Sequence, residues 1–226
     1  MTQKRFSFPT ANLVAQPLGF DMPEGWQQGD AASNDFYRPL ETFEERFGAL
    51  LREAKALGFD AIDLWSAHLH WRWATLEHVE IAKRLLEAEG LAVVSYLAWV
   101  TAGTSDLKAA CRLCQALGVE TISGSIELVD TDREVAVKVL REAGVRYAFE
   151  NHPETSIEEL LGRLGEGDED VIGIALDTGW CGTRQWDALE GLNRFYERVF
   201  AVHRKDVRAK REEPTGYQFI DWGHET

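Results

Sequence analysis

Apolar residues recur along this chain in a repeating pattern. Short apolar runs rich in branched or aromatic residues alternate with longer segments whose apolar positions have helical spacing. At the clearest joints a glycine follows the helical segment and leads directly into the next apolar run, as at Gly58, Gly90, Gly118 and Gly144. The pattern predicts strands at 5–12, 61–65, 92–97, 121–123, 146–151, 172–176 and 199–203. It predicts helices near 43–57, 75–89, 105–117, 131–143, 156–164 and 187–197.

The strict alternation of strand and helix predicts an α/β fold with right-handed crossovers. Several of the strands are almost continuously apolar, which is typical of a parallel sheet covered on both faces. The first strand-to-helix turn, residues 12–21, contains Gly19 as its one glycine, which argues against the Gly-rich phosphate loop of a Rossmann fold. Repeats that keep one rhythm favour a (β/α)₈ TIM-type barrel, and we expect residues 1–226 to form a single domain of this kind.

The length of the chain modifies this prediction. The chain has 226 residues, whereas a barrel of this kind usually has about 250. We therefore expect the eighth β/α unit to be lacking or atypical, with residues 217–222 as a poor substitute for the eighth strand. An open barrel would leave its first and seventh strands with unpaired edges, so we expect the C-terminal tail or a second subunit, and thus a homo-oligomer, to cover the gap.

Charge and composition exclude several classes of partner. The 24 Lys and Arg against 38 Asp and Glu give a net charge of −14, which argues against a nucleic-acid partner. The sequence has no secretory signal pattern and no apolar stretch near the about 20 residues of a membrane span, so we expect a cytoplasmic protein with no membrane partner. Cys111 and Cys114 have CxxC spacing, but they lie in a helical run without a second CxxC, which favours buried core cysteines over a redox or zinc site.

Polar side chains end the fifth, sixth and seventh predicted strands, at Glu150, Asp177 and His203. The carboxyl ends of barrel strands carry the chemistry of this architecture, and neighbouring strands lie about 4.8 Å apart. We therefore expect the three side chains to converge on one divalent metal ion, Mn²⁺, Mg²⁺, Co²⁺ or Zn²⁺. Each has a structural alternative: Glu150 pairing with a lysine, Asp177 capping the next helix, and His203 acting as a core histidine.

Further candidates follow other strand ends. His68 and His70 lie just past the second strand, where they are candidates for binding substrate hydroxyls or a second metal, or are ordinary loop histidines. Trp99 and Trp180 also lie at or just after strand ends. Aromatic walls around a polar centre suit a sugar, although they suit an ordinary barrel mouth nearly as well.

At these residues the chain resembles the xylose isomerase-like TIM-barrel superfamily, in its sugar phosphate isomerase/epimerase group. The motifs that carry the resemblance are Phe149-Glu150-Asn151-His152, Leu176-Asp177-Thr178-Gly179 and His203-Arg204-Lys205-Asp206. The resemblance implies a divalent metal held by Glu150, Asp177, His203 and a glutamate from the eighth strand. It implies an isomerase or epimerase acting on a sugar-like hydroxy-carbonyl compound, with Glu150 moving a proton through a metal-stabilised enediolate.

The resemblance also assigns supporting residues and leaves two departures. Lys205 is expected to orient a substrate oxygen or to lower the pKa of a carboxyl group, while Asn151 and His152 are expected to contact substrate. Trp180 stands where the family often has histidine, and no eighth-strand glutamate is evident, since Glu225 follows His203 too closely. These two departures support the alternative of a non-catalytic sugar-binding barrel. A second enzymatic alternative is a lyase of the inosose dehydratase type, which would use the same metal.

Overall fold

The computed structural model describes residues 6–152, 154, 156–183, 186–205, 207–209 and 217–219, with the backbone alone at 183, 207–209 and 217–219. The chain forms two compact units. The first comprises Met1–Ile122 with Ile126–Val145, and the second comprises Ser123–Ser125 with Arg146–Thr226. The assignment of the whole chain to a single domain stays a prediction.

The first unit alternates strands with helices. Its strands are β1 (Phe8–Pro9), β2 (Ala61–Trp65), β3 (Ala92–Val100) and β4 (Thr121–Ile126), and residues 123–125 of β4 belong to the second unit. Its helices are α1 (Trp26–Tyr37), α2 (Leu40–Ala56), α3 (Leu76–Glu89), α4 (Thr104–Leu117), α5 (Glu127–Thr131) and α6 (Arg133–Ala143). β1 pairs with β2, and β2 with β3, in parallel. β1 is shorter than predicted because a 3-10 helix begins directly after it, at Thr10–Leu13.

Helix α1 was missed by the pattern of apolar positions. Its buried residues are Gly29, Ser33 and Tyr37, and two of these are small or polar, so the helix shows no apolar stripe. Ser33 Oγ donates a hydrogen bond to the carbonyl oxygen of Val14 at 2.7 Å. A Cβ atom at position 29 would lie 3.2 Å from that same oxygen. Close backbone packing, rather than a large apolar face, therefore holds α1 in place.

Two local predictions are confirmed in this unit. Gly90 and Gly144 directly follow α3 and α6, as predicted, and they adopt the left-handed conformation with φ of 62° and 64°. Cys111 and Cys114 are free, buried residues of α4.

The second unit places three parallel strands side by side. They are β5 (Arg146–Glu150), β6 (Ile172–Asp177) and β7 (Val199–His203), and the helices of this unit are α7 (Ile157–Leu164), α8 (Thr178–Thr183) and α9 (Ala188–Arg194). In the register, Glu150 is the partner of Ala175, and Asp177 is the partner of His203. The last residues of the three strands therefore lie at the same end of this sheet, where the carboxyl ends of the parallel strands meet.

The end of the chain departs from the barrel pattern. β8 (Val207–Ala209) and β9 (Tyr217–Phe219) form a separate antiparallel pair. Residues 217–219 are therefore not an eighth parallel strand, and residues 220–222 lie outside the described part of the chain. Strands β1 to β7 follow one another along the chain with helices between them. This is the element order of a TIM-type barrel, as predicted, and the described residues show no eighth strand that continues this parallel series.

Among the described residues, none of the helices has both the length and the apolar character that a membrane crossing requires.

Strands β6 and β7 approach closely at Gly173. A Cβ atom there would lie 2.4 Å from the carbonyl oxygen of Arg198 and 2.6 Å from the ring of Phe200. Any side chain at this position would push the two strands apart, and these strands carry Asp177 and His203.

We predict that Gly173→Ala lowers the free energy of unfolding by about 1–3 kcal/mol, since the added methyl group overpacks the β6–β7 contact. Urea unfolding followed by circular dichroism measures the change. Gly162→Ala on α7 is the matched control, because no atom lies within 4 Å of a Cβ there, and it should stabilise by about 0.5–1 kcal/mol. Wild-type stability of Gly173→Ala would contradict the close approach.

Candidate metal centre

Three side chains from the ends of β5, β6 and β7 meet in the second unit. His203 Nδ1 lies 3.5 Å from Glu150 Oε1 and 3.8 Å from Asp177 Oδ2. One potential ligand atom from each residue lies within 4.8 Å of the other two. The parallel register explains this convergence, because it sets Asp177 beside His203 and ends β5 at Glu150 on the other side of β6. The side chains that the sequence singled out are therefore brought together.

Lys205 brings a cation to the same group of atoms. Its ammonium group contacts Asp177 Oδ2 and lies 3.7 Å from Glu150 Oε1. The side chain of Asp177 is fully buried, whereas that of Lys205 is 40% exposed. The ammonium therefore neutralises a buried carboxylate while remaining accessible from solvent.

The two oxygens of Asp177 have different partners. Oδ1 accepts hydrogen bonds from the backbone N–H groups of Gly179 at 2.8 Å and Trp180 at 3.3 Å, so Asp177 caps the first turn of α8. Oδ2 faces Lys205 and His203. Capping the helix and facing the cluster were alternatives in the sequence, but one carboxylate does both.

Glu150, Asp177, His203 and Lys205 form one charged cluster. Its charges shift the pKa values of Asp177 and His203 in the direction opposite to the effect of burial. Burial alone would raise the pKa of Asp177, but the neighbouring His203 and Glu150 and the Lys205 charge hold it well below its usual range. Burial alone would lower the pKa of His203, but Asp177 and Glu150 raise it to about 9. Without a metal, His203 is therefore protonated at neutral pH.

The cluster has the donors that a divalent ion requires. Two carboxylates and an imidazole are typical ligands of Mg²⁺, Mn²⁺, Co²⁺ and Zn²⁺ in proteins. His203 Nε2 is buried and has no hydrogen-bond partner among the described residues. A cation, the Lys205 ammonium, already lies between the two carboxylates. The residues present therefore fit a divalent ion. The sequence shows no evident eighth-strand glutamate, and Glu225 lies outside the described residues.

Asn151 follows Glu150, and its side-chain amide is hydrogen bonded to the backbone of Asp177. Its Oδ1 accepts a hydrogen bond from Asp177 N at 2.5 Å, and its Nδ2 donates to Asp177 O at 3.1 Å. Thr178 makes a similar pair of contacts with the backbone of Lys205, at 2.8 and 2.9 Å. The sequence pattern does not predict these roles, although one signal is present: each residue directly follows a candidate ligand at a strand end.

His152 and Trp180 form an aromatic pair in the same unit. Their ring centroids are 4.1 Å apart, with 33° between the ring planes. His152 is exposed and Trp180 is partly exposed, and each lies within three residues of a member of the cluster.

The remaining candidates, His68, His70 and Trp99, belong to the first unit. His68 is fully buried, its Nδ1 lies 3.0 Å from Thr10 Oγ1, and burial lowers its pKa to about 3. His70 stacks on Trp71, and burial, aided by a nearby arginine, lowers its pKa to about 4. Trp99 is half exposed and stands edge-on to Trp65. Substrate contact by these three residues stays a prediction.

Comparison with known proteins identifies the family. The family model of the xylose isomerase-like TIM barrel matches residues 51–224, which include all members of the cluster. The chain belongs to this family. No curated protein sequence matches it.

Solved structures share the fold at low sequence identity. The probable 3-DHS dehydratase AsbF of Bacillus anthracis has a TM-score of 0.64 and 14% identity, over 91% of this chain and 74% of that one. A xylose isomerase-like TIM barrel protein of Mycobacterium smegmatis in complex with magnesium has a TM-score of 0.61 and 16% identity, over 80% and 72%. The 3-keto-D-glucoside 4-epimerase YcjR of E. coli has a TM-score of 0.55 and 16% identity, over 71% and 74%.

The raised pKa of His203 predicts that stability depends on pH. Because this pKa lies above its ordinary value of 6.5, protonated His203 stabilises the metal-free fold fully below about pH 6.5, and the stabilisation is lost as the pH rises through about 9. In the presence of a chelator, we expect the free energy of unfolding to fall by up to about 3 kcal/mol between these limits. Urea unfolding at several pH values measures it. His203→Gln should lack this decrease, and equal pH dependence of the two proteins would refute the assignment.

Proposed function

We propose that this protein is a divalent-metal-dependent isomerase or epimerase that acts on a sugar or sugar-like hydroxy-carbonyl compound. The observation that carries the proposal is the meeting of Glu150, Asp177 and His203 at the ends of adjacent parallel strands. Membership of the xylose isomerase-like family supports the same reaction class.

Glu150, Asp177 and His203 would hold the ion. A divalent ion bound there would polarise a substrate carbonyl and make the proton on the adjacent carbon more acidic. His203 would have to release its proton on binding, because only a neutral imidazole can be a ligand. Asp177 is already ionised, since its pKa is depressed.

Glu150 is the proposed proton acceptor. It ends β5, and its side chain is 28% exposed, so a substrate can reach it, whereas Asp177 is fully buried. A carboxylate within hydrogen-bond reach of the acidic C–H group acts as a general base, and it can return the proton to the neighbouring carbon in an isomerisation. Epimerisation needs a second group to deliver a proton to the opposite face.

Lys205 and the aromatic pair would orient the substrate. The Lys205 ammonium is accessible and adjacent to Glu150, so it is placed to donate a hydrogen bond to a substrate oxygen. The rings of His152 and Trp180 offer an aromatic surface for the C–H face of a sugar. His68, His70 and Trp99 are further proposed substrate contacts. The expected substrate contact by Asn151 is not proposed, since its amide is already bonded to Asp177.

Dehydration is the second candidate, because the structurally similar AsbF is named as a probable 3-DHS dehydratase. A lyase of this kind would begin with the same proton removal by Glu150. It would then expel a β-hydroxyl group as water, and the Lys205 ammonium is a group that could protonate it.

Metal binding is the first test. Titration calorimetry with Mn²⁺, Mg²⁺, Co²⁺ and Zn²⁺ should show one ion bound per chain. Loss of a group that orients a metal ligand typically weakens binding about 10- to 100-fold. Asp177→Asn and His203→Gln, which alter the ligands themselves, should weaken binding by at least this factor. Glu158→Gln is the matched control, because its carboxylate lies in the same unit but is 75% exposed on α7. A wild-type chain that binds none of the four ions would refute the proposal.

Hydrogen exchange in D₂O distinguishes the candidate activities. Ketohexoses and keto-inositols are incubated with the metal-loaded protein and followed by NMR. An isomerase or epimerase places deuterium on the carbon beside the carbonyl, and a dehydratase yields a product that has lost water. Glu150→Gln should lower either rate by about 10²- to 10⁴-fold, the usual contribution of a general base. Tight sugar binding without exchange would identify a non-catalytic sugar-binding protein instead.

A further inference from the structure

Two side chains continue the hydrogen bonding of the sheet beyond the ends of its strands in the second unit. Asn151 follows β5 and bonds to the backbone of Asp177 on β6, while Thr178 follows β6 and bonds to the backbone of Lys205 beyond β7. In both cases the strand that carries the side chain has ended, and the side chain makes the hydrogen bonds that the backbone of that strand would otherwise make. The backbone beside the cluster therefore remains hydrogen bonded where the regular ladder stops.

The contact from Asn151 is the more complete of the two. Asn151 is 1% exposed, and its amide both accepts from Asp177 N and donates to Asp177 O. The same Nδ2 lies 3.5 Å from Cys181 Sγ, and Cys181 Sγ in turn donates to Asp177 O at 3.2 Å. The backbone of Asp177 is thus held on both its N–H and its C=O side.

This arrangement limits where the Asp177 carboxylate can point. Its backbone is held by Asn151, and its Oδ1 is held by the first turn of α8. Oδ2 is the oxygen that remains directed at His203 and Lys205. Because the two amide contacts fix the position of the Asp177 Cα atom, their loss would let the carboxylate rotate or shift away from the cluster.

We propose that Asn151 is a positioning residue for the metal centre, which fixes Asp177 as a ligand through its backbone. The proposal rests on the proposed function, and it differs from substrate binding by Asn151. Both polar atoms of the buried amide are used within the protein, so a substrate would have to displace them.

Asn151→Leu tests the proposal, because leucine has a similar size and can make neither hydrogen bond. On folded protein well below its melting temperature, the Kd for Mn²⁺ should rise by about 10- to 100-fold, as for other groups that orient metal ligands. Ser156→Ala is the matched control: it removes the N-cap of α7, whose Oγ accepts from Glu159 N at 3.2 Å, without touching the cluster. This control should lower the melting temperature and leave the Kd unchanged.

Amide hydrogen exchange of the metal-free protein gives a second readout, independent of the proposed function. The Asp177 N–H should be protected in the wild type and in Ser156→Ala, and should exchange faster in Asn151→Leu. If Asn151→Leu does not fold, Asn151→Ser is measured in its place, because the shorter hydroxyl cannot bridge both backbone groups. An unchanged exchange rate in the folded variant would overturn the positioning role, whether or not the wild type binds metal.

If Mn²⁺ binds the wild type and the variant equally well, the positioning role is wrong and the proposed function stands. If the wild type binds no metal but the Asp177 amide is deprotected in Asn151→Leu, the proposed function fails and Asn151 still positions Asp177.

Discussion

The register of β5, β6 and β7 is the constraint on which the candidate centre depends. It aligns Asp177 with His203 and ends β5 at Glu150 on the opposite side of β6. Successive side chains of a strand point to opposite faces, so a slip of one residue would turn a ligand away from the others. Gly173 permits a close contact of β6 with Arg198 and Phe200, and the register then shifts between Ile174 and Ala175 before Asp177 pairs with His203.

The buried carboxylate of Asp177 is tolerated because each of its oxygens has compensating partners. An unpaired charge in the interior is costly, and an ionised carboxylate needs hydrogen-bond donors or cations around it. Backbone N–H groups serve one oxygen and the Lys205 ammonium serves the other. Lys205 therefore offsets the charge of the buried carboxylate from a position that is itself accessible to solvent.

The sequence predicts the strands and the cluster well because both follow from local apolar runs and the residues that end them. β7 has its predicted bounds, 199–203, and the three candidate ligands meet as expected. Helix α1 was not predicted because two of its three buried residues are glycine and serine. The contacts of Asn151 with Asp177 and of Thr178 with Lys205 join residues 26 and 27 positions apart, and no local pattern reports such pairs. Capping of α8 and membership of the cluster were alternatives for Asp177 because a sequence does not distinguish the two oxygens of a carboxylate.

The different partners of the two Asp177 oxygens suit an aspartate at this position. Asparagine would retain the oxygen that caps α8 but would offer no charge to a cation. Glutamate would retain the charge, but its extra methylene would carry the carboxylate away from the first turn of the helix, where short side chains make the best caps. Aspartate is the one residue that combines a short reach with two anionic oxygens. The cap of α8 and the anionic oxygen that faces His203 and Lys205 are therefore supplied by a single residue.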